Sequence, residues 1–321
     1  MSFLNVDPLL TSVLSCILGL FLLFYCGNRL VDGAVFISHK FKLSSIFIGV
    51  AVIGFGTSLP EIIATLSATL ADKPSIAFGN IIGSNIANIA LVLGIGLLLM
   101  EKFTPNKEQI REYLIMMMCM WIFAFIILTQ GEVNTVSGII LILGLAVYLY
   151  FAHQSGKKEG FSEAEVEEEI NLPKNGYIAA AFITLGLLGL FLGADLTVNG
   201  AVVLAEYFGV SERIIGLTLV AVGTSLPEIA ATIAAARHGN IGLTLGNVAG
   251  SNVFNALGAT GAAAIVKTMH VQEELSTDLF VMLILGFVVA YLFLVSKPNT
   301  KALGVVLVTL YLSYIVSLTW S

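Results

Sequence analysis

Two glutamates stand alone in apolar surroundings. Between Leu43 and Ala71 the only formally charged residue is Glu61, at the end of Gly56-Thr57-Ser58-Leu59-Pro60-Glu61. The same six letters recur as Gly223-Thr224-Ser225-Leu226-Pro227-Glu228, and between Ile214 and Ala236 the only charge is Glu228. A carboxylate deep in a membrane segment costs about 2.5–3.5 kcal/mol on insertion scales, so it needs a reason to be there. One buried glutamate can be no more than a helix–helix hydrogen bond. Two in matched contexts point to a chain that handles a cation.

The neighbours of each glutamate supply further oxygens. Pro60 has no N–H and its ring crowds the carbonyl four residues back, while Gly54 and Gly56 let the backbone leave the helix there. Carbonyls freed at membrane depth are tolerated only where they face protein, a cavity or an ion. Thr57, Ser58 and Glu61 fall at i, i+1 and i+4, so their oxygens can share one side of a helix; Thr224, Ser225 and Glu228 repeat that spacing after Ala221 and Gly223. A second pair of segments follows, Gly79-Asn80-Ile81-Ile82-Gly83-Ser84-Asn85-Ile86-Ala87-Asn88 and Gly246-Asn247-Val248-Ala249-Gly250-Ser251-Asn252-Val253-Phe254-Asn255. Ser84 and Asn88 lie one turn apart on one face, as do Ser251 and Asn255. Gly79 with Gly83, and Gly246 with Gly250, form small-residue faces that allow close helix approach. Hydroxyls in membrane helices commonly bond only their own backbone; beside paired glutamates they read as ligands. The result is a hard, all-oxygen donor set. Calcium takes about 6–8 such ligands, whereas zinc or copper would want histidine or cysteine. His39, His153, His238 and His270 fall in or beside loops, and Cys16, Cys26 and Cys119 have no metal or disulfide spacing.

The elements that must hold these residues follow from composition. The 321-residue chain is 57% hydrophobic and 11% charged, against about 25% charged in soluble domains. Apolar runs of about 20 residues recur from end to end, which makes it an all-α polytopic membrane protein. Ten spans are expected, at 10–32, 44–71, 75–100, 112–130, 135–152, 176–205, 214–236, 241–266, 278–296 and 301–319. Met1 to Pro8 contains Asp7 and no Lys or Arg, so the first run reads as a retained helix and not a signal peptide. A net charge of −6 argues against nucleic acid. The acidic run from Glu163 to Glu169 reads as a solvated loop. Asp32 and Asp195 read as caps or interfacial residues near helix ends, and Arg29 as a snorkelling anchor. With the N-terminus outside, inside loops take 12 of the 15 Lys and Arg, leaving only Lys73, Arg213 and Lys267 outside. Both termini are therefore expected outside the cell (inner or plasma) membrane.

The glutamate motifs are 167 residues apart, as are the glycine–asparagine segments and Asn28–Ala34 against Asp195–Ala201. Five spans per repeat is odd, so the second half is inverted. The expected organisation is two inverted five-helix repeats, 1–152 and 176–321, joined by a short cytoplasmic linker at 153–175, with the motifs at 54–88 and 221–255. Inverted halves with broken helices around a midplane site are the pattern of secondary transporters.

The paired Gly-Thr-Ser-Leu-Pro-Glu and Gly-Asn-x-x-Gly-Ser-Asn-x-x-Asn segments resemble the α-repeats of the sodium/calcium exchanger family, within the cation/calcium exchanger superfamily, and the resemblance covers the whole chain. The short central loop is similar to that of prokaryotic members. The resemblance implies an antiporter, not an enzyme, that exchanges calcium for sodium by alternating access, the first and sixth spans sliding across the other eight. It implies that Glu61 and Glu228 coordinate calcium and contribute to sodium sites, and that Thr57 and Thr224 join the calcium site. Ser58, Ser84, Ser225 and Ser251, with carbonyls near Gly54 and Ala221, would line flanking sodium sites, and Asn88 would sit centrally. The ions are substrates; no cofactor and no protein partner beyond the lipid bilayer is implied.

One position departs from the resemblance: many members carry aspartate where this chain has Asn255. Three converging carboxylates would repel too strongly to all stay ionised, and an amide has nearly the shape of a protonated acid. Asn255 therefore suits a site of two charges neutralised by one divalent ion, and equally an altered selectivity, stoichiometry or proton coupling. Proton/calcium and potassium-dependent exchange stay open on this ground. Two different classes also stay open: a cation channel, and an intramembrane enzyme in which Glu61 and Glu228 act as an acid pair. No histidine in an apolar core is available for a serine mechanism.

Overall fold

The computed structural model describes residues 8–160, 172–209, 221–271, 275–295 and 299–318. These residues are nearly all helical. Helix α1 is Pro8–Phe41. A bent pair follows, α2 (Ser45–Thr57) and α3 (Leu59–Leu70), and then α4 (Pro74–Leu99). Next come α5 (Lys107–Gln130), α6 (Thr135–Glu159) and α7 (Gly176–Tyr207). The second half contributes α8 (Ala221–Thr224), α9 (Leu226–Arg237), the helical segment 241–266 as α10, α11 (Leu275–Val295) and α12 (Thr300–Leu318). Among the described residues, seven helices are long and apolar enough to cross a membrane, and eight if the bent pair counts as one span.

Local sequence explains where these helices start. Asn106 and Gln109 form a reciprocal capping box at α5, with both bonds at 2.9 Å. Asn134, Asn175 and Asn240 cap α6, α7 and α10 through their side-chain oxygens. Pro74 opens α4, where a missing N–H is harmless.

α1 and α7 run antiparallel along their length through small residues. A Cβ on Gly19 would fall 2.7 Å from the carbonyl oxygen of Gly193, and one on Gly193 would fall 2.9 Å from that of Gly19. The pair shares an apolar core with α2 and α9, built on Leu30, Val31, Ile53, Leu190 and Ala231. A larger core fills the rest of the bundle, around Phe78, Ile82, Leu93, Met116, Phe123 and Met282. Large apolar side chains such as Leu18, Phe21, Phe125, Ile140 and Leu188 point outward, as lipid-facing helices require.

Four features differ from expectation. α1 continues past position 32 to Phe41, so Asp32 is not near a helix end. It is buried within the helix and accepts from Arg29 at 3.0 Å. Arg29 itself stacks on Tyr25 and Phe182 at 5.2 and 5.1 Å. Asp195 likewise lies inside α7, where it accepts from Asn199 at 3.0 Å. α6 runs on to Glu159, past the expected start of the linker; the acidic run Glu163–Glu169 lies outside the described residues. Finally, a two-residue antiparallel ribbon pairs Glu132–Val133 with Met269–His270, a contact that hydropathy does not foretell.

Candidate functional site

The helix break falls where the proline and glycines place it. α2 and α3 meet at Ser58 with a 44° bend. Ser58 has φ −81° and ψ 0°, and Ser225 between α8 and α9 has φ −89° and ψ 4°, so the two motif segments turn in the same way. Pro60 and Pro227 each sit in the first turn of the helix that follows, which puts Glu61 and Glu228 in that turn as well.

Both glutamates are 1% exposed, and all four of their carboxylate oxygens lack a hydrogen bond. They come from different halves of the chain, yet the two motif segments meet through Asn247, whose side chain donates to the Glu228 carbonyl oxygen at 3.1 Å and accepts from the Thr57 hydroxyl at 3.3 Å. Ser58 and Ser225 are fully buried with unpartnered hydroxyls. Asn88 and Asn255 are buried with unpartnered side-chain oxygens, and the Asn255 side-chain nitrogen is also unpartnered. Leaving a buried polar group unmade costs about 1–3 kcal/mol each, which makes this concentration of orphaned oxygens the candidate site. Among the described residues, no three His, Cys, Asp or Glu side chains converge. The donors are two carboxylates and neutral oxygens.

Helix widening accompanies the site. π-helical turns cover Gly49–Gly54, Asn88–Val92 and Phe254–Ala259. Such turns insert an extra residue and free backbone carbonyls, and they cluster at functional positions. The Asn255 carbonyl accepts from the Thr260 hydroxyl at 3.2 Å. The Gly54 carbonyl is reached by the hydroxyls of Thr57 at 3.5 Å and Ser251 at 3.4 Å, and those two hydroxyls are 3.4 Å apart. Gly54 makes a close backbone approach here: a Cβ on it would fall 3.0 Å from the Cα of Gly250 and 3.1 Å from the Asn247 carbonyl oxygen, tighter than side chains ordinarily pack. The small-residue face of Gly246 and Gly250 thus receives α2 directly. The partners that the repeat would give Gly79 and Gly83 fall in 210–220, outside the described residues.

Of the residues picked from the sequence, Thr57, Ser251 and the Gly54 carbonyl are brought together, Asn247 links Thr57 to the Glu228 turn, and Glu61 lies one turn after Thr57 across the break. Ser84 is buried one turn before Asn88. Thr224 differs from its counterpart Thr57: it is half-buried and lines a cavity with Pro60 and Pro227. Ala221 begins the short helix before the second break.

Sequence reasoning missed the residues that hold the glutamates. The Asn80 side chain donates to the Glu61 carbonyl oxygen and to the Thr65 hydroxyl, both at 3.0 Å. The Asn247 side chain donates to the Glu228 carbonyl oxygen at 3.1 Å and the Thr232 hydroxyl at 2.9 Å. Every member of the first bracket maps onto the second at the 167-residue offset. Asn85 and Asn252, themselves 167 residues apart, meet across the halves at 3.5 Å. The signal was present, since both asparagine pairs lie in the repeated segments.

This arrangement has relatives. The profile of the sodium/calcium exchanger protein family matches residues 11–153 and 178–320. The chain belongs to the sodium/calcium exchanger family. It is 33% identical over 311 residues to the inner membrane protein YrbG of Escherichia coli K12, covering 95% of each chain. It is 28% identical to the sodium/calcium exchanger MaX1 of Methanosarcina acetivorans, covering 94% of this chain and 97% of that one. Its fold matches the sodium-calcium exchanger NCX_Mj, solved after soaking with Na⁺ and Sr²⁺, with a TM-score of 0.83 and 30% identity over 96% of this chain and 98% of that one. The membrane-exchanger fold of this family, and not only its helix content, is therefore what positions Glu61 and Glu228.

Proposed function

We propose that the chain is a secondary antiporter that moves Ca²⁺ across the membrane against Na⁺ by alternating access. The observation that carries this reading is the meeting of Glu61 and Glu228, fully buried, with four carboxylate oxygens that no protein donor satisfies. Two bare carboxylates in one buried place repel each other, and a charge removed from water needs a partner. A divalent cation between them neutralises both at once. The names of the relatives, which include sodium/calcium exchangers of similar length, supply the ion pair.

In this reading Glu61 and Glu228 hold Ca²⁺ together with Thr57 and Thr224. Ser58, Ser84, Ser225, Ser251 and the carbonyls of Gly54 and Ala221 serve Na⁺, with Asn88 and Asn255 at the centre. Asn255 keeps the site at two formal charges, matched to one divalent ion. The chain forms two inverted five-helix repeats, 1–152 and 176–321, in the cell membrane with both termini outside. Antiparallel α1 and α7, and hydrogen-bond brackets that recur at one offset, support that duplication. Purified protein in liposomes should take up Ca²⁺ when an outward Na⁺ gradient is imposed. Uptake driven only by a pH gradient would overturn the sodium half of the reading.

A further inference from the structure

The exchange reading requires cations to reach the glutamates from both faces, and the repeat makes the two approaches comparable. On one side a cavity of about 270 Å³ is walled by Pro60, Thr224 and Pro227 of the motif segments and by Phe191 and Asp195 of α7. At the mated positions on α1, Phe24 and Asn28 line a second cavity of about 210 Å³, shared with Ile233 and Arg237 of α9. Asp195 and Asn28 occupy equivalent positions at the 167-residue offset, but only one carries a charge.

The surroundings widen that difference. Asn28 spends its amide on its own helix, donating to the Phe24 carbonyl oxygen at 2.7 Å. Arg237, at the second cavity, stands over the Phe24 ring at 4.9 Å, and its repeat mate is the neutral Leu70. The Asp195 carboxylate is exposed and accepts only from the neutral Asn199 amide at 3.0 Å; among the described residues no lysine or arginine pairs with it. The cavity beside the motif segments carries the Asp195 carboxylate, unpaired among the described residues, whereas the cavity at Asn28 carries Arg237, with the Arg29–Asp32 ion pair one turn away on α1.

Depth shows that the acidic cavity is wet. Asp195 lies twelve residues before the end of α7 at Tyr207, or about 18 Å at the helical rise. Such a position falls inside a hydrocarbon layer about 30 Å thick when the helix spans it centrally. An exposed carboxylate facing lipid there is strongly disfavoured, and such groups face water-filled cavities instead.

We infer that Asp195 is a cation-guiding residue at one entrance to the exchange site, the external one in the orientation set by Lys and Arg, and that its repeat mate Asn28 supplies no such charge. The inference rests on the exchange reading. A lone charge in a low-dielectric cleft concentrates counter-ions, divalent more than monovalent, and so acts on the concentration needed for transport more than on the maximal rate.

The test is Ca²⁺ exchange in right-side-out and inside-out membrane vesicles, measuring the half-saturating Ca²⁺ presented at each face. Asp195→Asn should raise that value about threefold or more at the external face, with little change at the internal face, and high ionic strength should shrink the difference. Asp195→Glu should restore the wild-type value, and Asn28→Asp should lower the half-saturating Ca²⁺ at the internal face. An active Asp195→Asn protein with unchanged values, or with equal changes at both faces, would overturn the inference. If Asp195→Asn fails to fold, an Asn28→Asp protein with no internal-face change would overturn it instead. A wild-type protein with no Na⁺-dependent Ca²⁺ flux would overturn the exchange reading, and this inference with it.

Discussion

The segments ending at Glu61 and Glu228 share six identical letters and the same backbone break, yet they sit in different surroundings. Thr57 is fully buried and touches Ser251 and Asn247 of the opposite half. Thr224 is half-buried on a cavity. The surroundings differ in composition as well: Phe191 and Asp195 line the cavity at Thr224, and their repeat mates on α1 are Phe24 and Asn28. Segments that exchange surroundings would open the proposed site first to one face and then to the other. What does not differ between them is equally informative: both glutamates are orphaned, and both are held by an asparagine bracket.

The largest expected effect tests that common part. Glu61→Gln and Glu228→Gln should each reduce Ca²⁺ flux to the background of empty liposomes while the protein still folds, because either change removes one of two charges from a shared site. Retained flux in either variant would break the equivalence of the halves.

The brackets come next. Asn80→Ala and Asn247→Ala each leave a glutamate-bearing turn and a threonine hydroxyl without their donor, at about 1–3 kcal/mol per unsatisfied group. Both should lower thermal stability and slow transport by similar amounts. A clear inequality would show that one half alone carries the support.

Asn255→Asp addresses the central position, where the halves now match as Asn88 and Asn255. It should preserve folding and change the ion dependence or the pH profile of transport, measured by flux under varied Na⁺ and pH. An unchanged profile would mean that the amide is not what sets the two-charge balance.

The smallest effect concerns access. In a cysteine-free background, Thr224→Cys should react with a small water-soluble thiol reagent faster than Thr57→Cys, and added Ca²⁺ should slow the reaction at Thr224→Cys. Equal labelling would remove the asymmetry between the two surroundings.

Much of this was legible before any coordinates. An isolated glutamate in an apolar run, a proline one residue before it and glycines upstream locate both the buried, unpartnered carboxylates and the helix break, because each reflects a strong local constraint: desolvation, a missing N–H, or freed backbone. Repetition at one offset paired Glu61 with Glu228. The supporting contacts were not legible for a different reason. Asn80 and Thr65 lie on different helices, and hydropathy reports that a residue is buried, not which buried group it faces. The π-helical turns at Asn88 and Asn255 arise from one extra residue per turn, which no apolar period marks. Asp32 was misplaced because α1 runs nine residues past its expected end at position 32, its buried charge being compensated locally by Arg29.

The central claim is that the two halves build one ion site and not two. The direct measurement is equilibrium binding of Ca²⁺ to the purified protein, by calorimetry, for the wild type and for Glu61→Gln and Glu228→Gln separately. The account predicts a single high-affinity Ca²⁺ per chain in the wild type, lost altogether in each single variant. Two Ca²⁺ per wild-type chain, with each variant retaining one of them at unchanged affinity, would contradict it.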